Sequence, residues 1–150
     1  MIILALDLGT KCGWAAENCS GVWNLKPSTH ESAGERYRKF KYYLGTQKIP
    51  TFIVYEEIHA HAAVDAAHVW GGLEAILQTY CLEYKIEYKG VGVGTIKKHA
   101  TGNGHAKKDD MILAATLEWP GINIIDDNHA DALWLLDYAI SYLQQPIAPV

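Results

Sequence analysis

The sequence predicts an α/β fold, in which buried strands alternate along the chain with helices. Apolar runs without polar alternation open the chain at residues 1–8 and recur at residues 51–58, which is typical of strands buried on both faces. Apolar residues at helical spacing occupy other segments, most clearly residues 62–84. The chain has 150 residues, and we expect residues 1–150 to form a single domain.

The composition limits the possible functions. A net charge of -4 argues against a protein that covers DNA through bulk positive charge, but it is compatible with a local basic patch. Cys12, Cys19 and Cys81 have no CxxC spacing, which indicates neither a disulfide framework nor a zinc site. The chain opens without the pattern of a signal peptide, and no apolar run reaches membrane length, so we expect a cytoplasmic protein with no membrane partner.

Asp7 is the first candidate functional residue. It stands at the end of the first apolar run, where the pattern favours another Leu or Val. An ionised carboxylate buried at such a position is costly unless something compensates its charge, and a bound cation would do so. Backbone hydrogen bonds accepted by a capping Asp are the alternative, and this segment alone leaves both interpretations open.

The next elements are two short strands and a charged helix. The pattern predicts strands at residues 11–17 and 19–25 and a helix at residues 31–44, with Phe40 and Leu44 on its apolar face. Basic residues on the other faces of this helix could contact nucleic acid. A solvated helix surface is the interpretation that we favour.

The strand predicted at residues 51–58 also ends in acid, at Glu56 and Glu57. Because side chains alternate along a strand, only one of these two carboxylates can face a given site. His59 and His61 follow with a spacing that invites a metal interpretation. Since no third zinc ligand stands nearby, we favour polar loop contacts for both histidines.

The long helix predicted at residues 62–84 has small residues along part of its surface, which would allow another backbone to approach closely. Burial in the core and a dimer seam both fit this pattern. A short strand is predicted to follow at residues 86–89.

The strongest basic concentration lies in residues 90–111, where Thr95 is predicted to cap a short helix. Four lysines flank a glycine turn there: Lys97, Lys98, Lys107 and Lys108. Glycine lets backbone N–H groups approach a phosphate and the lysines add charge, so we favour phosphate contact over a solvated loop. The pattern is not that of a P-loop.

Two aspartates open the last helix, which follows a helix at residues 111–117 and a short strand or extended stretch at residues 122–125. Asp127 and Asp131 are four residues apart and therefore share a helix face. Asp126 or Asp127 could cap the helix, whereas Asp131 interrupts an apolar face. Residues 145–149 are predicted to form a frayed tail.

Three separate segments thus bring acids to the ends of buried elements. Gathered together, such carboxylates would repel one another and have raised pKa values unless a divalent metal neutralised them. Oxygen ligands alone favour Mg²⁺ or Mn²⁺ over zinc. Two such ions support phosphodiester cleavage in known nucleases.

This set of motifs resembles the RNase H-like superfamily and, within it, the RuvC family of Holliday junction resolvases, especially short phage versions. The resemblance rests on four segments: Asp7-Leu8-Gly9-Thr10 with Gly13, Tyr55-Glu56-Glu57-Ile58, residues 98–108, and residues 127–133. The third segment, which contains TGNGxAxK, is the most specific, because we see no general structural explanation for it. The DxGT motif alone is weak.

The resemblance implies a catalytic metal site formed by Asp7, Glu56 and Asp131, with Glu57 beside it. It leaves the fourth ligand open, because Asn128 stands where the family often has an acid or His. Asp127 is our candidate, and His129 is a weaker one. The residues expected to contact nucleic acid are Lys97, Lys98, Asn103, His105, Lys107 and Lys108.

The same resemblance implies a five-stranded mixed sheet with helices on both faces, and a homodimer that cuts four-way DNA with Mg²⁺, two ions per site, for which Mn²⁺ could substitute. A two-fold dimer suits a nearly two-fold junction. Two alternatives stay open. One is a non-catalytic module that binds branched DNA, and the other is an actin-like ATPase fragment, which would need a second phosphate loop.

Overall fold

Five strands form one sheet in the computed structural model, which describes residues 1–144. The strands are β1 (Ile3–Asp7), β2 (Lys11–Ala16), β3 (Cys19–Asn24), β4 (Phe52–Glu57) and β5 (Glu87–Gly92). The helices are α1 (Glu35–Thr46), α2 (Val64–Tyr84), α3 (Val93–Thr101), α4 (Lys108–Glu118) and α5 (Asp127–Leu143). The tail predicted at residues 145–149 lies outside the described residues.

The sheet is mixed and has the strand order β3-β2-β1-β4-β5. The first three strands are antiparallel neighbours, and β1, β4 and β5 run parallel. Leu6 of β1 pairs with Tyr55 of β4, so the two central strands end side by side. This topology confirms the five-stranded mixed sheet expected from the sequence.

Helices cover both faces of the sheet, because the central strands are apolar on both sides. In β1, Ile3 and Ala5 belong to the core beneath α3, α4 and α5, whereas Leu4 and Leu6 belong to the core beneath α1 and α2. Asp7 continues the first of these series. The prediction of helices on both faces is confirmed.

Several element ends differ from the prediction. The helix α1 begins at Glu35 rather than at residue 31, since the Glu31 carboxylate accepts a hydrogen bond from the Ser28 backbone N–H in the preceding turn. Thr95 lies inside α3 rather than at its cap, which is Gly92. Residues 122–125 form no strand and pair with no strand among the described residues. Within the described chain, no helix is long and apolar enough to cross a membrane.

Candidate metal centre

Three carboxylates from three elements meet at the carboxyl-terminal edge of the central strands. Asp7 ends β1, Glu56 stands near the end of β4, and Asp131 lies in the second turn of α5. One oxygen from each of the three lies within 4.8 Å of the other two. Asp7 and Glu56 are each only 8% exposed, so water can screen their charges little.

Strand alternation and register place the first two acids together. Leu6 and Tyr55 are paired, and the next residues along each strand are Asp7 and Glu56. Both of these side chains point to the α5 side of the sheet. Glu57 is directed to the opposite face, where its carboxylate lies 3.7 Å from His59 Nε2.

A close approach of α5 to β2 brings in the third acid. A Cβ atom on Gly13 would lie 1.9 Å from the backbone oxygen of Asn128, so only glycine permits this packing. Asp126 caps the helix by accepting a hydrogen bond from the His129 backbone N–H at 2.9 Å. These contacts fix the start of α5, and Asp131 follows one turn later beside the strand ends.

Burial raises the pKa values of all three acids, and a hydrogen bond with Asp7 lowers that of Glu56 against this effect. Burial is the largest cause for each, and the neighbouring carboxylates add to it for Asp7 and Asp131. The pKa of Asp131 rises to about 7, and those of Asp7 and Glu56 are also raised. A divalent cation would remove this repulsion, and oxygen donors of this kind suit Mg²⁺ or Mn²⁺. The residues therefore fit a metal site.

Asp127 lies outside the group of three. Its carboxylate Oδ2 is 2.6 Å from Lys108 Nζ. The pKa of Lys108 is raised, chiefly by this contact and further by the charges of Asp131 and Asp7. Asp127 is thus at the rim of the cluster, bound to a lysine.

Lys97 and Lys108 both act on the acid cluster through their charges. Each lowers the pKa of Asp131, against the larger effect of burial, and Lys97 also lowers that of Glu56. Both lysines were predicted to belong to a basic segment, but the sequence did not reveal that the fold would place them beside the acids. That proximity depends on how α3 and α4 pack on α5.

The side chains of Asn128 and His129 contact groups outside the acid cluster. His129 is 2% exposed, and both ring nitrogens have partners. Nδ1 accepts from the Ile125 backbone N–H at 3.1 Å, and Nε2 lies 2.8 Å from Ser20 Oγ. Burial lowers the pKa of this histidine, which favours the neutral ring that these contacts need. The Asn128 side chain is 3.4 Å from Asp126 Oδ2.

The glycine-rich segment between α3 and α4 has a local structural explanation, which corrects our expectation that it had none. Gly102 ends α3 with a φ of 79°, a conformation that favours glycine. Asn103 Oδ1 accepts from the His105 backbone N–H at 3.0 Å. Gly104 packs against the Gly94 backbone, and Ala106 is buried.

This compact turn presents polar side chains outward. Lys98, Asn103, His105 and Lys107 are exposed. A side-chain contact that the sequence analysis missed holds the preceding helix α3 against α5, since His99 Nε2 lies 2.7 Å from Asp137 Oδ2. The two residues are far apart in sequence, and no local pattern links them.

No protein-family model and no curated protein matches this sequence. Comparison with solved structures gives full-length likenesses. The structure of T. thermophilus RuvC in complex with Holliday junction substrate matches with a TM-score of 0.72 at 20% identity, over 98% of this chain and 99% of that one. Thermus thermophilus RuvC matches with a TM-score of 0.70 at 20% identity, over 98% and 100% of the two chains.

A third likeness is more distant. The yeast mitochondrial Holliday junction resolvase Ydc2 matches with a TM-score of 0.57 at 13% identity, over 89% of this chain and 76% of that one. The fold of the present chain is therefore that of RuvC, as the motifs suggested.

Proposed function

We propose that this protein is a metal-dependent endonuclease that resolves four-way DNA junctions. The observation that carries the proposal is the meeting of Asp7, Glu56 and Asp131 at one edge of a sheet. The fold around them matches, over the whole chain, a RuvC protein solved with a Holliday junction substrate. A buried cluster of acids that repel one another would destabilise the fold without benefit in a protein that only binds DNA.

Asp7, Glu56 and Asp131 are the proposed metal ligands and catalytic residues, with Mg²⁺ as the ion and Mn²⁺ as a substitute. A site of two such ions supplies Lewis acidity to the phosphodiester and to the attacking water. Asp127 is the proposed fourth ligand, once its carboxylate leaves Lys108. Lys97 and Lys108 then offset the negative charge of the phosphate that enters among the acids.

The outward side of the turn between α3 and α4 is the proposed contact for the DNA backbone. Lys98, Asn103, His105 and Lys107 are exposed there, and Lys97 and Lys108 join this surface to the acid cluster. The protein as a whole carries a net charge of -4. A local basic surface in an acidic protein is suited to holding one DNA strand near the site rather than coating a duplex.

The protein is further proposed to act as a homodimer through α2. Spacings of seven, four and seven residues place Val64, Gly71, Ala75 and Leu82 on one helix face. Val64 and Leu82 are 70% and 73% exposed, and a Cβ on Gly71 would meet no atom within 4 Å. This apolar stripe fits a second copy of the same helix, and a two-fold pair would present one site to each of two opposed strands.

A single nuclease domain at residues 1–150, a cytoplasmic location and a phage origin stay predictions from the sequence. So does the alternative of a non-catalytic module that binds branched DNA.

A cleavage assay tests the proposal directly. A labelled four-way junction and a linear duplex of the same sequence are incubated with the protein in Mg²⁺ and, separately, in EDTA. We expect paired nicks in the junction only, and only with Mg²⁺. Junction binding without cleavage under any divalent metal would instead favour the non-catalytic module.

A further inference from the structure

A cavity lies on the α1 and α2 side of the sheet, away from the face that carries the three acids. Its volume is about 690 Å³. The turn after β1, the start of α1, the loop after β4 and the start of α2 together form its walls. Nothing in the proposed cleavage site uses it.

Three nitrogen atoms of the cavity walls are buried without a hydrogen-bond partner. They are Arg36 Nε, His61 Nε2 and Trp70 Nε1. Arg36 comes from α1, His61 from the loop after β4, and Trp70 from α2. Buried polar groups in folded proteins are almost always paired, so three unpaired atoms around one cavity indicate that a binding partner is absent.

Arg36 also lacks a counter-charge. It forms no ion pair with any carboxylate among residues 1–144, although Asp65 lies in the wall of the same cavity. Its helix neighbour Arg38 differs, since Arg38 Nε lies 2.6 Å from Glu35 Oε2 and its side chain is 73% exposed. A half-buried guanidinium with no carboxylate partner is suited to bind an anion.

The donors and the volume together identify the class of ligand. Arginine and tryptophan nitrogens donate only, and His61 Nε2 donates in the tautomer that carries its hydrogen there, so a ligand that offers acceptors would satisfy all three. A phosphate group offers several acceptor oxygens and matches the guanidinium geometry. The cavity has the volume of a small-molecule site, and the rings of His61 and Trp70, 5.5 Å apart, offer a surface for a sugar or a base.

The cavity also lies close along the chain to the cleavage site. Its walls include Leu8, Gly9 and Thr10, which directly follow Asp7, and Ile58, which stands two residues after Glu56. The acids and the cavity are therefore on opposite faces of the same strand ends. A DNA strand that crosses this edge of the sheet can reach both.

We propose that the cavity lined by Arg36, His61 and Trp70 binds a phosphate group. We assign this phosphate group to the backbone of the DNA strand that enters the acid cluster, and this assignment rests on the proposed function. The same chemistry is offered by a free phosphate compound, and the experiment separates these two sources.

The first measurement uses inorganic phosphate and no DNA. Thermal unfolding of the full chain is followed in EDTA, with phosphate replacing chloride at constant ionic strength. We expect phosphate to raise the unfolding temperature of the wild type and of Arg38→Met by more than that of Arg36→Met, since general exclusion of phosphate from the protein surface stabilises all three alike. Trp70→Phe removes one N–H donor and keeps the ring shape, so it should weaken the effect even if Arg36→Met folds poorly.

The second measurement follows junction binding in EDTA as a function of salt. In Arg36→Met, loss of one phosphate contact should reduce the slope of log affinity against log salt concentration by about 0.9. In Arg38→Met, which removes the same charge from the same helix, this slope should stay unchanged. Phosphate stabilisation without any change in DNA binding would assign the cavity to a free phosphate compound and overturn the DNA assignment. An equal phosphate effect in the wild type, Arg36→Met and Arg38→Met, with equal DNA binding by the two variants, would overturn the site itself. If the wild type binds phosphate but binds no junction, the phosphate site is supported and the proposed function is refuted.

Discussion

Lys108 and Asp127 form an ion pair at the rim of the acid cluster, with Nζ and Oδ2 2.6 Å apart. The lysine side chain is 80% exposed, whereas that of Asp127 is 23% exposed. Exposed pairs of this kind contribute about 0–1 kcal/mol to stability, so the contact is easily exchanged for another. The proposed role of Asp127 as a metal ligand would make a metal ion and Lys108 competitors for this carboxylate.

This competition predicts different effects of two substitutions on the Mg²⁺ concentration needed for cleavage. Asp127→Asn should raise the Mg²⁺ concentration that gives half-maximal junction cleavage, because it removes a ligand charge. Lys108→Ala should not raise it, because Asp127 is then free to bind metal. Cleavage titrations over a range of Mg²⁺ concentrations give both values. A wild-type requirement in Asp127→Asn would exclude this residue as a ligand.

Asp7→Asn should abolish cleavage and preserve junction binding. The change removes a metal-ligand charge at constant volume, and we expect a loss of at least about 100-fold. In EDTA at pH 8 the same variant should unfold at a higher temperature than the wild type, because one repelling buried charge is gone.

Asp109→Asn serves as the control for charge, since Asp109 is exposed in the first turn of α4. It should leave both cleavage and the unfolding temperature near the wild-type values. A cleavage rate for Asp7→Asn within about tenfold of wild type would refute the site assignment.

The two glutamates of β4 should differ sharply. Glu56 lies with the acids and Glu57 on the opposite face, so Glu56→Gln should be inactive and Glu57→Gln impaired far less. Single-turnover cleavage by both variants at saturating Mg²⁺ measures the difference. The reverse order would mean that the strand pairs one residue out of register.

The central strands were predictable because their chemistry is local. The sequence shows the unbroken apolar runs of β1 and β4 and the acids at their ends. Because side chains alternate along a strand, only one of Glu56 and Glu57 can face the other acids. The boundary of α1 was not predictable in this way, since a side-chain contact of Glu31 in the preceding turn competes with the helix.

Contacts between segments that are distant along the chain could not be predicted from the sequence. The pairing of Lys108 with Asp127 depends on the packing of α4 against α5, and that of His129 with Ser20 on the packing of α5 against the β2–β3 hairpin. A shift of a helix by one turn along its axis would give different partners from the same pattern. The acceptor-free side chain of Arg36 is likewise visible only when its surroundings are known.

Gly13→Ala should disturb the metal centre through the backbone. The added Cβ would lie 1.9 Å from the Asn128 oxygen, so the start of α5, and Asp131 with it, must shift. We expect a loss of stability of about 1–3 kcal/mol and a higher Mg²⁺ requirement. Gly45→Ala is the matched control, because its Cβ would meet nothing within 4 Å, and it should stabilise α1 by about 0.5–1 kcal/mol.

The metal-free protein should become less stable as the pH rises from about 5 to 8. The pKa of Asp131 is about 7 in the folded protein and 3.8 for the ordinary side chain, and the pKa values of Asp7 and Glu56 are raised as well. The folded state thus holds more protons than the unfolded one in this range, so the contribution of these groups to stability is complete below pH 3.8 and is lost as the pH rises through the folded pKa values. The slope is at most about 1.4 kcal/mol per pH unit for each group.

Mg²⁺ should reverse this trend, because the ion binds the deprotonated carboxylates and stabilises the folded state most at high pH. Urea unfolding at pH 5, 6, 7 and 8, in EDTA and in Mg²⁺, measures both effects. In Asp131→Asn the slope in EDTA should be shallower, since one of the titrating groups is absent, and the gain from Mg²⁺ should shrink. A metal-free protein that is most stable at pH 8 would show that the three carboxylates are not in repulsive contact.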